Sequence, residues 1–111
     1  MINWADLEAR YQGRDAFIAR LLGIFTSSHA SFSAQMREFT AAGNSAEVAR
    51  LAHSLKSSAG NIMAMELMDL ALRTEQAARR SAPEAMELAL QLSDELETTL
   101  AEIETRLASR G

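Results

Sequence analysis

The chain has 111 residues, 48% of them apolar and 23% charged, with no Cys and a formal net charge of −4. This length suits one domain around one core, read as residues 1–111, and the lack of Cys excludes a disulfide scaffold, a thiolate metal site and a thiol nucleophile. The excess of acids argues against a nucleic-acid binder, no apolar run reaches the roughly 20 residues of a membrane span, and the start MINWADLEARYQ lacks the basic-then-apolar form expected of a signal peptide.

Breakers are few. Gly13, the pair Gly43-Asn44 and the segment Ser81-Ala82-Pro83 separate stretches rich in Ala, Leu, Glu, Arg and Met, all good helix formers. No window alternates apolar and polar residues as a half-buried strand does. The pattern predicts an all-α fold. A short first helix is expected from Asn3 to Tyr11, with Asn3 as N-cap and Trp4, Leu7 and Tyr11 on one side. A second is expected to run unbroken from Asp15 to Thr40, with Ile18, Leu22, Phe25, Phe32, Met36 and Phe39 as its seam and local softness at Gly23.

The third helix should begin after Asn44, whose side chain caps it, with Glu47 completing a capping box. Its inward stripe is Val48, Leu51, Ala52, Leu55, Ala59 and Ile62. The fourth spans Ala64 to Arg80 with Leu67, Leu70, Ala71, Thr74 and Ala78 inward; whether Met63 breaks or continues the rod stays open. The fifth is expected to open with Ser81 as N-cap, Pro83 in its first turn and Glu84 three residues after the cap. Ala89, Leu92, Leu96, Ile103 and Leu107 face inward. Long helices joined by short connections make an up-and-down antiparallel four-helix bundle, with the short extra N-terminal helix covering one end.

Function must come from a site, and the chain has only two histidines. With Val48 set at zero on a helical wheel, His53 falls near 140°, Ser57 near 180°, Arg50 near 200° and Gly60 near 120°, all roughly opposite the inward stripe. His53 is thus expected in solvent. His29 stands between Phe25 and Phe32 in the apolar seam and is read as a satisfied, partly buried histidine. A neutral imidazole can attack phosphorus, and the phosphoryl group it would carry needs a cation nearby. Lys56 stands one turn on from His53, Arg50 stands one turn back, and Ser57 and Gly60 leave room for a partner to approach. A solvent-facing histidine is more often an ordinary surface residue, and it is this neighbourhood that argues otherwise.

The segment Ala52-His53-Ser54-Leu55-Lys56-Ser57-Ser58-Ala59-Gly60 resembles the signature of histidine-containing phosphotransfer (HPt) domains, and Leu67, Leu70 and Glu75 are similar to the family's next helix. The resemblance implies a phosphorelay intermediate. His53 would be the phosphoacceptor, taking a phosphoryl group from an aspartyl phosphate on a receiver domain and passing it to another receiver's aspartate. Lys56 would be the charge partner, and Glu75 would support the site. It also implies response-regulator receiver domains and a hybrid sensor histidine kinase as partners, a monomer, no cofactor or metal, and a cytoplasmic location, either free-standing or as part of a membrane-bound sensor kinase. Ser57 stands in place of the family's usual Gly, and Met63 replaces a Gly common ten residues after the histidine.

Other readings compete. In a sensor kinase's dimerisation domain an acid follows the histidine and a Pro stands in the next turn; here Ser54 follows, and the only Pro is Pro83. No Gly-rich nucleotide loop supports ATP-dependent kinase activity of its own. A non-catalytic adaptor bundle with an incidental His53 is the main alternative. Metal chemistry is least expected, because there is no H-E-x-x-H and the two histidines face differently. Met65, Met68 and Leu72 fall outside the fourth helix's inward stripe. They read equally as a broad core face or as an adaptable docking surface.

Overall fold

A computed structural model describes residues 1–110; Gly111 of the expected domain lies outside the described residues. Six helices follow in order: α1 Trp4–Arg10, α2 Asp15–His29, α3 Phe32–Ala41, α4 Ser45–Asn61, α5 Met65–Arg79 and α6 Ala85–Arg110. No strand occurs among the described residues. Helices α3, α4, α5 and α6 pack in cyclic order as an antiparallel bundle, and α2 continues the line of packing along α6. No helix among the described residues is long and apolar enough to cross a membrane.

The expected stripes form the core. Val48, Leu51, Ala52, Leu55, Ala59 and Ile62 of the α4 stripe are all buried, as are Leu67, Ala71, Thr74 and Ala78 of α5 and Ala89, Leu92, Leu96 and Ile103 of α6. The hydroxyls of Thr74 and Ser93 are satisfied within their own helices: Thr74 Oγ1 donates to the Leu70 carbonyl at 2.7 Å and Ser93 Oγ to that of Ala89 at 3.0 Å. The N-terminal segment covers the α4–α5 turn. The Asn3 N–H donates to the Met63 carbonyl at 3.0 Å, Tyr11 Oη to the Asn61 carbonyl at 2.9 Å, and Trp4 Nε1 to Glu102 on α6 at 2.8 Å.

Three expectations about helix ends need correction. The expected rod from Asp15 to Thr40 is interrupted, and the interruption lies at Ala30-Ser31 rather than Gly23. Both residues keep right-handed backbone angles, so this is a kink. The preceding run Thr26-Ser27-Ser28-His29 is poor in helix formers, and His29 Nδ1 hydrogen-bonds at 2.8 Å to the Phe25 carbonyl, the acceptor that the ladder assigns to the His29 N–H. At Asn44 only half of the capping box forms: Asn44 Oδ1 accepts from the Glu47 N–H at 3.2 Å, while the Glu47 carboxylate turns to Arg50.

The third correction concerns Ser81, which ends α5 instead of starting α6. It sits at φ +52°, its N–H donates to the Ala78 carbonyl, and the Ala82 N–H donates to that of Ala77. This is the Schellman closure. Met63, at φ +59°, ends α4 the same way through Gly60 and Ala59, which settles the open question there. The left-handed position favours Gly, and a side chain in it costs about 1 kcal/mol. Neither end is therefore marked by a glycine.

Candidate functional site

The site lies on the α4–α5 hairpin. The two helices run antiparallel, and the Met68 side chain is seated on Gly60: a Cβ there would stand 3.0 Å from Met68 Sδ. The space that Gly60 leaves on the α4 surface is thus partly taken by Met68. The pairing sets the third and fourth turns of α4, with His53 and Lys56, opposite the last turns of α5, with Glu75 and Arg79.

Glu75 is the centre of the cluster. Its Oε2 is 2.8 Å from His53 Nδ1, and its Oε1 accepts from Lys56 Nζ at 2.8 Å. Arg79, one turn on along α5, donates to Oε2 from Nε at 3.0 Å and from Nη2 at 2.8 Å. The Glu75 side chain is only 8% exposed, whereas that of His53 is 59% exposed. The hidden group is thus the carboxylate and the reachable group is the ring. Burial by itself would push the Glu75 carboxyl up. Hydrogen bonds from Lys56, Arg79 and His53, with the charge of Lys56, more than offset it and hold the group at about 2.

An ionised carboxylate only accepts hydrogen bonds, so Nδ1 of neutral His53 carries the proton and the lone pair is on Nε2. Lys56 and Arg79 set two permanent positive charges against the one negative charge of Glu75. The surroundings of the ring therefore carry a net positive charge, suited to an incoming phosphoryl group.

The remaining residues expected at the site are placed as follows. Ser57 is exposed one turn beyond His53. Arg50 is not drawn into the cluster, because its guanidinium holds the Glu47 carboxylate at 2.8 Å from Nε. His29 is buried more deeply than expected, at 4% exposure, between the rings of Phe25 and Phe32. Met68 packs against Gly60 and is partly buried, while Met65 and Leu72 stay exposed.

Sequence reasoning missed Arg79. Its spacing of four from Glu75 is a signal for an ion pair along the helix, but nothing in the sequence turns that pair toward His53.

Among the described residues no group of three or more His, Asp and Glu is placed to hold a metal ion. The profile of the Hpt domain family matches residues 20–106, well over half of the chain, and the match takes in the whole cluster. No curated protein and no solved structure gives a significant match. The family match, the all-helical bundle and a histidine on the solvent face of the hairpin agree: the chain belongs to the Hpt domain family, the histidine phosphotransfer domains of two-component phosphorelays, which interact with receiver domains and histidine kinases.

Proposed function

We propose that residues 1–111 act as one phosphotransfer domain, a relay intermediate in which His53 accepts a phosphoryl group from a receiver's aspartyl phosphate and hands it to an aspartate of a second receiver. The single observation that carries this reading is the pairing of His53 Nδ1 with the buried Glu75 carboxylate, which leaves Nε2 as an exposed nucleophile. The Nε2 lone pair attacks phosphorus, the P–O bond to the donor aspartate breaks, and its electron pair leaves on the carboxylate. The ring becomes an N-phosphoryl imidazolium with Nδ1–H still facing Glu75, whose charge stabilises it. In the second half the acceptor carboxylate attacks phosphorus, the N–P bond breaks, and the electron pair returns to Nε2. Lys56 Nζ offsets the phosphoryl charge in both directions.

The approach face runs over Ser57. Beside it lies a groove of about 350 Å³, lined by Leu21, Ile24 and Phe25 of α2, Phe32 of α3 and Ser54 and Ser58 of α4. Ser57→Tyr should block docking while leaving helicity and melting temperature nearly unchanged, and Ser57→Gly should preserve transfer. With Arg50 committed to Glu47, the charge role rests on Lys56. The testing experiment is phosphoryl uptake from a phosphorylated receiver by the intact protein and by His53→Gln. Acid-labile label on the first and none on the second is expected; label that survives the substitution overturns the assignment.

A further inference from the structure

The crowding on Glu75 has a consequence for the chemistry. Three donors share two carboxylate oxygens, and they are not equivalent. Lys56 alone occupies Oε1, at 2.8 Å. Arg79 sits on Oε2 through two N–H groups, at 3.0 and 2.8 Å, and this is the oxygen that faces His53 Nδ1. Lys56 is on α4, as His53 is, and its flexible stem lets the ammonium turn from one acceptor to another. Arg79 is on α5, as Glu75 is, and its planar fork is fixed by two contacts to one atom.

Once a phosphoryl group is on Nε2, the Lys56 ammonium has a more strongly charged acceptor close by. Each contact it shifts there is lost to Glu75. Glu75 is screened from solvent chiefly by these partners, so as Lys56 leaves, its compensation falls to Arg79.

We propose that Arg79 is a positioning residue for phosphotransfer: it holds Glu75 Oε2 against His53 Nδ1 and keeps the carboxylate compensated while Lys56 turns to the phosphoryl group. Arg79 acts through Glu75 and does not touch the reacting atoms. It fixes the proton on Nδ1 and so keeps the lone pair on Nε2. It also makes the lysine available without leaving an unpaired buried charge behind. This role rests on the reading of His53 as phosphoacceptor.

The test combines two measurements on intact protein, with Arg79→Gln and Arg79→Lys as variants. The first is the ¹⁵N NMR signature of the His53 ring without any phosphodonor, which reports how the proton divides between Nδ1 and Nε2. The second is the rate of labelling at His53 by phosphoramidate, a small donor that needs no docking face. Arg79→Gln is expected to move part of the proton population to Nε2 and to slow labelling about five- to tenfold, the scale of one ordinary hydrogen bond lost. Arg79→Lys should restore part of both. An unchanged tautomer and rate in Arg79→Gln overturns the role of Arg79 alone, and so does a slower rate with an unchanged tautomer. If the intact protein takes no label on His53, the phosphoacceptor reading itself fails; a tautomer shift in Arg79→Gln would still establish the positioning contact.

Discussion

The two histidines of this chain make the same first hydrogen bond in opposite surroundings. His53 and His29 each commit Nδ1 to an oxygen at 2.8 Å, and each stands on an amphipathic helix. In α4 the oxygen is a carboxylate held by two further cations, and the far side of the ring is open. At the end of α2 it is a backbone carbonyl, and the ring is packed between Phe25 and Phe32 at centroid distances of 4.4 and 4.6 Å. The carboxylate can stabilise the imidazolium that phosphorylation at Nε2, as proposed, would form. A carbonyl among phenyl rings cannot, so burial keeps the His29 ring neutral. A histidine's hydrogen bond alone thus says little about its chemistry. The charge behind Nδ1 and the access to Nε2 decide it.

The comparison can be broken most forcefully at Lys56. Lys56→Ala should slow phosphoryl transfer about a hundred- to a thousandfold, the range for removing one donor to a developing charge. The fold should persist, because Arg79 and His53 still hold Glu75. Quench-flow rates in both directions check this, and unchanged rates would remove Lys56 from the site. Glu75→Ala should slow transfer about tenfold. Glu75→Gln should do less harm, since an amide oxygen still accepts from Nδ1 but carries no charge.

Acid titration of stability sharpens the contrast between the two regions. The Glu75 carboxyl is held at about 2, below its ordinary 4.5. The unfolded chain therefore binds the proton first, and the stability Glu75 contributes is complete above pH ~4.5 and is lost as pH falls toward 2. Urea midpoints of Glu75→Gln should show a flatter acid limb. Burial lowers His29 below its ordinary 6.5, and the bond to the Phe25 carbonyl opposes this only partly. Its contribution is present above pH ~6.5 and declines as pH falls through the lowered value, because the unfolded ring takes up a proton that the folded ring resists. His29→Leu should flatten stability just below pH ~6.5 and leave phosphoryl uptake unchanged.

The smallest effect is expected at the helix ends. Ser81→Gly should stabilise the protein by about 1 kcal/mol, by removing a side chain from a left-handed position on the surface. Met63→Gly relieves the same strain but gives up the packing of a partly buried side chain, so its net gain should be smaller. Thermal melts of the two variants side by side would show the difference.

These ends also mark where the sequence was hard to read. The α4 stripe from Val48 to Ile62 was legible because its apolar spacing is regular and Asn44 caps its start. That wheel put His53 in solvent with Lys56 one turn on, while their roles came from the neighbourhood and the resemblance to HPt domains. Met63 and Ser81 could not be read as terminators, because the signal for a left-handed closure is a glycine and neither carries one. The kink after His29 was hidden for another reason. A ring reaching back to a carbonyl is a tertiary choice, set by the phenyl rings around it, and Gly23 offered a more visible but idle breaker. The burial of Glu75 and the arrival of Arg79 depend on how α4 and α5 pair, which no single-helix pattern contains.

On the proposed mechanism, Glu75 and exposure together make Nε2 of His53 the phosphoryl carrier. The most direct measurement is ³¹P and ¹⁵N NMR of the phosphorylated, isotope-labelled protein. The predicted result is one phosphoramidate at Nε2 of His53, with the proton still on Nδ1. A phosphoryl group on Nδ1 of His53, on His29 or on a carboxylate would contradict it.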